Sequence, residues 1–242
     1  MAFGVDPRRR EFFSLRQARY DRLAEAVTEI ASGIAAREGR KARLLDIGPW
    51  DGVLLRHLEA CDGIRHIEYS LADLALRDDF HGREHVAGMV FGDLQRGYPE
   101  IASDAYDIVV CEQVLEHLAE TTVAVKTLER VARPGGSVII GVPTFPPPLH
   151  LVRRHAQPVW DRWFPPKKVR GHLQSFSAGS FKALVRDNTR LELSDIRGFR
   201  IFSGGPFAPL EEKEWWWRFA MATGRAVPWA CVEVQSIWRK PA

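Results

Sequence analysis

Cysteine is scarce in this chain. Its three cysteines, Cys61, Cys111 and Cys231, are spread over 242 residues and form no CxxC pair. An odd number at such wide spacing predicts neither a disulfide framework nor a zinc site, so we expect reduced thiols and no bound metal. A chain of this length can bury a core large enough to fold without either device.

Long apolar runs are also missing. No stretch approaches the ~20 apolar residues that cross a bilayer, and the first residues lack the apolar core of a signal peptide. We therefore expect a soluble, cytoplasmic protein. The segment 143–170 combines tryptophan and phenylalanine with basic residues, which leaves open a peripheral contact with an anionic membrane surface.

A strong charge imbalance is absent as well, since the formal net charge is only +3. The basic residues concentrate near the start and in "PPKKVRGH", without the long basic stripe and motif of a nucleic-acid-binding protein, so we expect no nucleic-acid partner. The sequence also lacks the fingerprints G-x-G-x-x-G and G-x-x-x-x-G-K-[ST]. Their absence argues against a nicotinamide dehydrogenase and a nucleoside triphosphatase.

What the chain does contain is a regular alternation of short apolar runs and segments with helical periodicity. Runs of the first kind are typical of buried parallel strands, and the helices between them would cover both faces of the sheet. The pattern predicts an α/β fold with a Rossmann-like, seven-stranded, mostly parallel sheet and an antiparallel edge strand. The predicted strands are 42–47, 63–68, 85–91, 106–112, 136–142, 191–199 and 230–238.

Helical periodicity also organises the rest of the chain. Residues 1–40 are predicted to form an N-terminal helical arm that packs on the main domain, 41–242. Two insertions, 143–174 and 203–229, are expected on the substrate side of the sheet. The second contains "EWWWRF", and three adjacent tryptophans cannot share one helical face, so at least one should be exposed. The predicted helices are 12–37, 51–61, 113–118, 121–132, 177–187 and 209–224.

Acidic residues and glycines follow the first four predicted strands, where ligands of open α/β sheets bind. They are Asp46, Gly48 and Gly52 after the first strand, Glu68 after the second, Asp93 after the third and Glu112 after the fourth. In this order, the segments "LLDIGPWDG", "IEYS", "FGDL", "YDIVVCEQVLEHL" and "RVARPGGSVIIGVP" resemble the class I S-adenosylmethionine-dependent methyltransferases, in particular their small-molecule, type 11/12-like branch.

The resemblance implies S-adenosyl-L-methionine as the cofactor and assigns a role to each strand end. Asp46 and the backbone around Gly48 and Gly52 would face its amino acid moiety. Glu68, with Tyr69 beside it, would accept hydrogen bonds from the ribose hydroxyls. The further residues that the resemblance assigns to the cofactor site are Asp93 for the adenine amino group, Leu94 against the ring, and Glu112.

Trp50 stands where such loops usually carry a second glycine. We expect its indole to turn away from the cofactor toward the N-terminal arm, because the backbone of the loop should face the ligand. The alternative places the ring beside the sulfonium, which an aromatic face attracts. Trp50 therefore belongs to the predicted cofactor site in either orientation.

Methyl transfer requires a base only when the acceptor loses a proton during attack. His117 and His172 are the candidates, although either could serve only as a structural hydrogen-bonding group. The resemblance implies a small-molecule or lipid-linked acceptor. Two alternatives remain open: a non-catalytic binding or regulatory protein of the same fold, and a nucleic-acid methyltransferase, which the lack of an "NPPY"-like motif disfavours.

Overall fold

Seven strands form one sheet in the computed structural model, which describes residues 17–146, 173–201, 205–211 and 213–242. The strands are β1 (Ala42–Ile47), β2 (Ile67–Asp73), β3 (Val86–Phe91), β4 (Tyr106–Glu112), β5 (Ala132–Pro143), β6 (Glu192–Phe199) and β7 (Glu233–Arg239). Their spatial order is β3-β2-β1-β4-β5-β7-β6. The first five are parallel, and β7 is antiparallel to both β5 and β6. The predicted fold class is confirmed.

Helices cover both faces of this sheet. They are α1 (Ala18–Glu38), α2 (Val53–Ala60), α3 (Thr121–Val131), α4 (Ala178–Asn188) and α5 (Glu214–Ala226). On one face, Leu23 and Val27 of α1 are buried in a cluster with Leu44 of β1 and Ile108 of β4. The opposite face is covered by α3 and α4. The N-terminal helix is therefore part of the main core.

Local sequence explains where two of these helices begin or end. Gly39 ends α1 in a left-handed conformation (φ 65°), and its N–H donates to the Ala35 carbonyl at 3.0 Å. This is a glycine C-cap, which a residue with a Cβ adopts at a cost. Ser177 caps α4, because its Oγ accepts from the Ser180 N–H while the Ser180 hydroxyl accepts from the Ser177 N–H.

The predicted second strand, 63–68, is wrong. Gly63–His66 forms a 3₁₀ turn, and β2 begins at Ile67 and continues to Asp73, paired with β1 from Ala42 opposite Ile67 to Ile47 opposite Ala72. The error arises because the polar residues Ser70 and Asp73 hide the strand in "SLAD", although its residues Leu71 and Ala72 are fully buried. The strand therefore ends five residues later than predicted.

The predicted helix 113–118 is also wrong, since only Leu115–His117 forms a 3₁₀ turn. Gln113 lies at φ 58°, and its N–H donates to the Gly141 carbonyl at 2.8 Å, which extends the β4–β5 contact. Residues 1–16 and 147–172, which include His172 and most of the segment 143–174, lie outside the described residues. Among the described helices, none has the length and apolar character that a bilayer crossing requires.

The tryptophan run divides as its helical geometry predicts. Trp216 and Trp217 are buried with Phe199 and Ile201 at the end of β6, whereas Trp215 is 59% exposed. Helix α5 therefore attaches to the sheet near its carboxyl edge. The start of β7 lies at that same edge, because Glu233 pairs with Pro143 of β5 and with Phe199 of β6.

Candidate cofactor and acceptor site

The loop after β1 depends on two glycines. Gly48 has φ 71°, and a Cβ there would lie 2.5 Å from Cγ2 of Val114. Gly52 has φ 79°, and a Cβ there would meet the main-chain oxygen of His81. Both positions combine a left-handed backbone with a close approach, so a larger residue is strained at either of them. The loop backbone is thus held tightly at the carboxyl end of β1.

Trp50 lies on the outside of this loop. It has φ 56°, its residue is 64% exposed, and the guanidinium of Arg77 lies 4.7 Å above its ring. The ring therefore stacks with the segment after β2, where we expected the N-terminal arm. Arg77 attracts the electron-rich face of the indole, a cation–π contact that keeps the side chain at the surface.

Asp46 is buried at the end of β1. Its Oδ2 accepts a hydrogen bond of 2.5 Å from the Tyr69 hydroxyl, and burial raises the pKa of Asp46 to about 7. Tyr69 itself is fully buried, so its role is to support Asp46 from within the core. Within the predicted cofactor site, Tyr69 therefore acts on Asp46 and presents no exposed surface of its own.

The acidic residue at the carboxyl end of β2 is Asp73, not Glu68. Glu68 is the second residue of the strand, exposed and paired with Arg43 near the amino end of β1. Asp73 is half-buried, and burial raises its pKa. Its carboxylate accepts from the Leu74 N–H, and its carbonyl accepts from the Gly92 N–H at 2.9 Å. Asp73 thus connects the ends of β2 and β3.

A cavity of about 540 Å³ opens beside these strand ends. Asp93 lines it, together with Leu74 and Phe91, whose residues are 72% and 54% exposed. Exposed apolar side chains around a carboxylate are suited to a planar ring that carries an amino group. Leu94, by contrast, is buried in the core beneath α3, so its side chain does not line this cavity.

Asp93 is held in place by its own turn. Its Oδ1 accepts from the Gln95 N–H at 2.9 Å, and Oε1 of Gln95 accepts from the N–H groups of Ala119 and Glu120. The loop after β3 is therefore joined to the loop after β4. This bracing orients the carboxylate at the cavity wall.

Glu112, at the end of β4, lies in a buried charge network. Arg19 of α1 contacts Oε1 of Glu112 at 3.1 Å and Oε1 of Glu233 at 2.9 Å. Gln235 donates to Oε2 of Glu112 at 2.9 Å, and Arg200 contacts Glu233 at 2.7 Å. Burial raises the pKa of Glu112 to about 7. The network joins the N-terminal helix to the carboxyl edge of the sheet.

Arg19 was not predicted as a site residue, because it belongs to a segment rich in basic residues, which are usually exposed to solvent. Helical spacing from the buried Leu23 could have placed it on the inward face, although not beside a particular partner. Asp73 could have been found from the alternation of buried residues Ile67, Tyr69 and Leu71, which extends the strand to "LAD".

Glu116 and His117 follow in the 3₁₀ turn after β4. Glu116 is buried, its carboxylate oxygens have no hydrogen-bond partner among the described residues, and burial raises its pKa to about 7. The His117 side chain is 47% exposed, with Nε2 at 3.9 Å from Oε1 of Glu116. His117 is thus accessible from the carboxyl edge. His172 lies outside the described residues, but the Leu173 N–H that follows it donates to the Glu116 carbonyl at 2.7 Å.

The fold has many solved counterparts. A protein from Galdieria sulphuraria, provisionally named a sarcosine dimethylglycine methyltransferase, has a TM-score of 0.57 at 16% identity, covering 92% of this chain and 86% of the other. A 1,6-didemethyltoxoflavin-N1-methyltransferase from Burkholderia thailandensis, solved with S-adenosylhomocysteine, has a TM-score of 0.50 at 14% identity, with 90% and 80% covered. At such identities the likeness concerns the fold alone.

One counterpart has a different name. The [4+2]-cyclase SpnF has a TM-score of 0.53 at 17% identity, covering 92% of this chain and 81% of its own. Comparison with curated proteins gives no match. A family model described as a methyltransferase domain matches residues 15–189, which is more than half of the chain. The chain therefore belongs to the methyltransferase domain family and has the fold of the class I S-adenosylmethionine-dependent methyltransferases.

Proposed function

We propose that this protein transfers a methyl group from S-adenosyl-L-methionine to a small-molecule or lipid-linked acceptor. The observation that carries the proposal is one continuous series of groups at the carboxyl edge of the sheet. It runs from the glycine loop at Gly48 through Asp73 to the cavity at Asp93. Its order follows the parts of the cofactor: amino acid, ribose and adenine.

The side chains of this series fit the cofactor chemically. Asp73 provides carboxylate oxygens for two ribose hydroxyls, and Asp93 provides an acceptor for the adenine amino group. Leu74 and Phe91 offer apolar surface for the ring. A side chain at Gly48 or Gly52 would strain the loop. Because glycine has no side chain, the main chain of the loop can approach the amino acid moiety closely.

The cofactor would supply a methyl group activated by a positively charged sulfur. The chain's own contribution is to position an acceptor in line with that methyl group and to balance charge. Asp46 and Glu112 are buried acids at this edge, and their raised pKa values of about 7 mean that a nearby cation would favour their ionised forms. His117 is placed to accept a proton at Nε2 if the acceptor is a hydroxyl.

The acid-rich edge also bears on the acceptor. Glu112, Glu116 and Glu233 gather there against Arg19 and Arg200. Buried acids beneath the site favour a neutral or cationic small molecule over an anionic one such as a nucleic-acid backbone. We therefore retain the small-molecule or lipid-linked acceptor and disfavour a nucleic acid.

Cytoplasmic location with peripheral membrane contact remains part of this proposal. The thiols of Cys61, Cys111 and Cys231 are all free, as in proteins of reducing compartments. Outside the segment 143–170, exposed Trp215 and Trp229 offer further aromatic surface of an interfacial type. Flotation with anionic liposomes tests this point, and protein that stays at the bottom of the gradient contradicts it.

The acceptor class can be tested without knowing the acceptor. The protein is incubated with cofactor labelled in its methyl group and with an extract of cells, and the label is followed into fractions. Label in the lipid or small-molecule fraction is the expected result. Label in nucleic acid would overturn the acceptor class. Cofactor binding without transfer to any fraction would favour the non-catalytic alternative.

A further inference from the structure

Two histidines and two glutamates lie close together on the surface between α2 and the segment after β2. Glu59, in the last turn of α2, has one oxygen at 2.8 Å from Nε2 of His81 and the other at 3.2 Å from Nε2 of His85. Glu84 lies between the histidines in sequence, and ligand atoms of Glu59, Glu84 and His85 all lie within 4.8 Å of one another. Two imidazoles thus face one carboxylate from the same short segment.

These separations are close to those around a tetrahedral metal ion. Zinc binds imidazole nitrogen and carboxylate oxygen at about 2.0–2.2 Å, which places neighbouring ligand atoms roughly 3.3–3.5 Å apart. The 3.2 Å between Oε1 of Glu59 and Nε2 of His85 nearly matches that edge, whereas His81 contacts the other oxygen of Glu59 and can hold that carboxylate in place. The four side chains are also partly solvent-exposed, so an ion can enter.

The main chain of this segment is already fixed. The His81 N–H donates to the Asp51 carbonyl at 3.0 Å, and the His81 oxygen lies against Gly52. Gly82 has φ 79°, and a Cβ there would touch Leu55 of α2 at 3.0 Å. Helix α2 provides Glu59, and a 3₁₀ turn at Arg83–His85 provides the partners. The ligand set is therefore held before any ion arrives.

We infer that Glu59, Glu84 and His85 form a binding site for a divalent transition metal of the zinc type, with His81 holding the second oxygen of the Glu59 carboxylate. The chemistry of the set supports this choice, because mixed imidazole and carboxylate ligands suit zinc better than calcium or magnesium. A bound ion would fasten the segment after β2 to α2 and, through His81, to the glycine loop. Metal binding at this site does not require the proposed methyl transfer.

The test uses tag-free protein treated with a chelator and then titrated with Zn²⁺ in competition with a chromophoric chelator. We expect one ion per chain and an increase in melting temperature on binding. Glu59→Gln and His85→Ala should each weaken binding at least tenfold and abolish that increase. Glu59→Gln keeps a hydrogen-bonding group, so it should remain folded.

Two control variants remove other side chains that could bind zinc outside the proposed site. Cys61→Ser removes the exposed thiol next to α2, and His66→Ala removes an imidazole just before β2, so both should bind Zn²⁺ like the unaltered protein. Absence of a stoichiometric site in the unaltered protein would overturn the inference. The inference would also be overturned if Glu59→Gln and His85→Ala bound Zn²⁺ as tightly as the unaltered protein, since the ion would then lie elsewhere.

Discussion

Replacement of Asp73 by asparagine should weaken cofactor binding about 10- to 100-fold. The change removes the charge from the one carboxylate at the carboxyl end of β2 while keeping an oxygen for the Leu74 N–H. Hydrogen bonds to charged groups contribute about 1.5–3 kcal/mol, and every 1.4 kcal/mol corresponds to a factor of ten in affinity. The neutral amide should lose most of one such contribution toward the ribose hydroxyls.

The same strand provides a matched control. Glu68→Gln makes the same chemical change five residues earlier, at an exposed position near the opposite edge of the sheet. Its affinity for S-adenosylhomocysteine, measured by calorimetry, should stay within about twofold of that of the unaltered protein. Equal weakening by the two variants, or weakening by Glu68→Gln alone, would refute the assignment of Asp73.

Three further changes test the site's construction. Gly52→Ala should lower the free energy of unfolding by more than about 1 kcal/mol and weaken cofactor binding, because its methyl group would meet the His81 main chain. Urea denaturation and calorimetry measure the two effects, and unchanged stability and affinity would contradict this description of the loop. The raised pKa of Asp46, about 7 against ~3.9 when unfolded, predicts that stability falls as pH rises from 4 to 7, and Asp46→Asn should make that fall smaller in urea titrations. Arg19→Met leaves Glu112 buried beside an uncharged side chain and should lower the free energy of unfolding by about 3 kcal/mol at pH 8; a change below 1 kcal/mol would contradict the network.

Much of the fold follows directly from sequence. The central strands β1 and β4 are buried on both faces, so their runs "ARLLDI" and "YDIVVCE" are mostly apolar and their bounds are predicted correctly. Strand β2 is nearer the edge of the sheet and carries polar residues such as Ser70, so its end is less distinct. Because the predicted end of β2 was five residues too early, the predicted site contained Glu68 where the strand in fact ends at Asp73.

The remaining differences depend on tertiary contacts. The side chain of Leu94 can face either the cavity or the core, and only the packing of α3 directs it inward. Trp50 turns toward Arg77, a partner 27 positions away that no local pattern identifies. Arg19 becomes a site residue because α1 crosses the sheet beside β4 and β7, which a helical period alone does not specify.

The central claim is most directly tested by titrating the purified full chain with S-adenosyl-L-methionine and with S-adenosyl-L-homocysteine in a calorimeter. The account predicts that each binds at one site per chain, and that neither NAD⁺ nor ATP competes. The absence of binding by both compounds at millimolar concentrations would contradict the assignment of the carboxyl-edge cavity and glycine loop as a cofactor site.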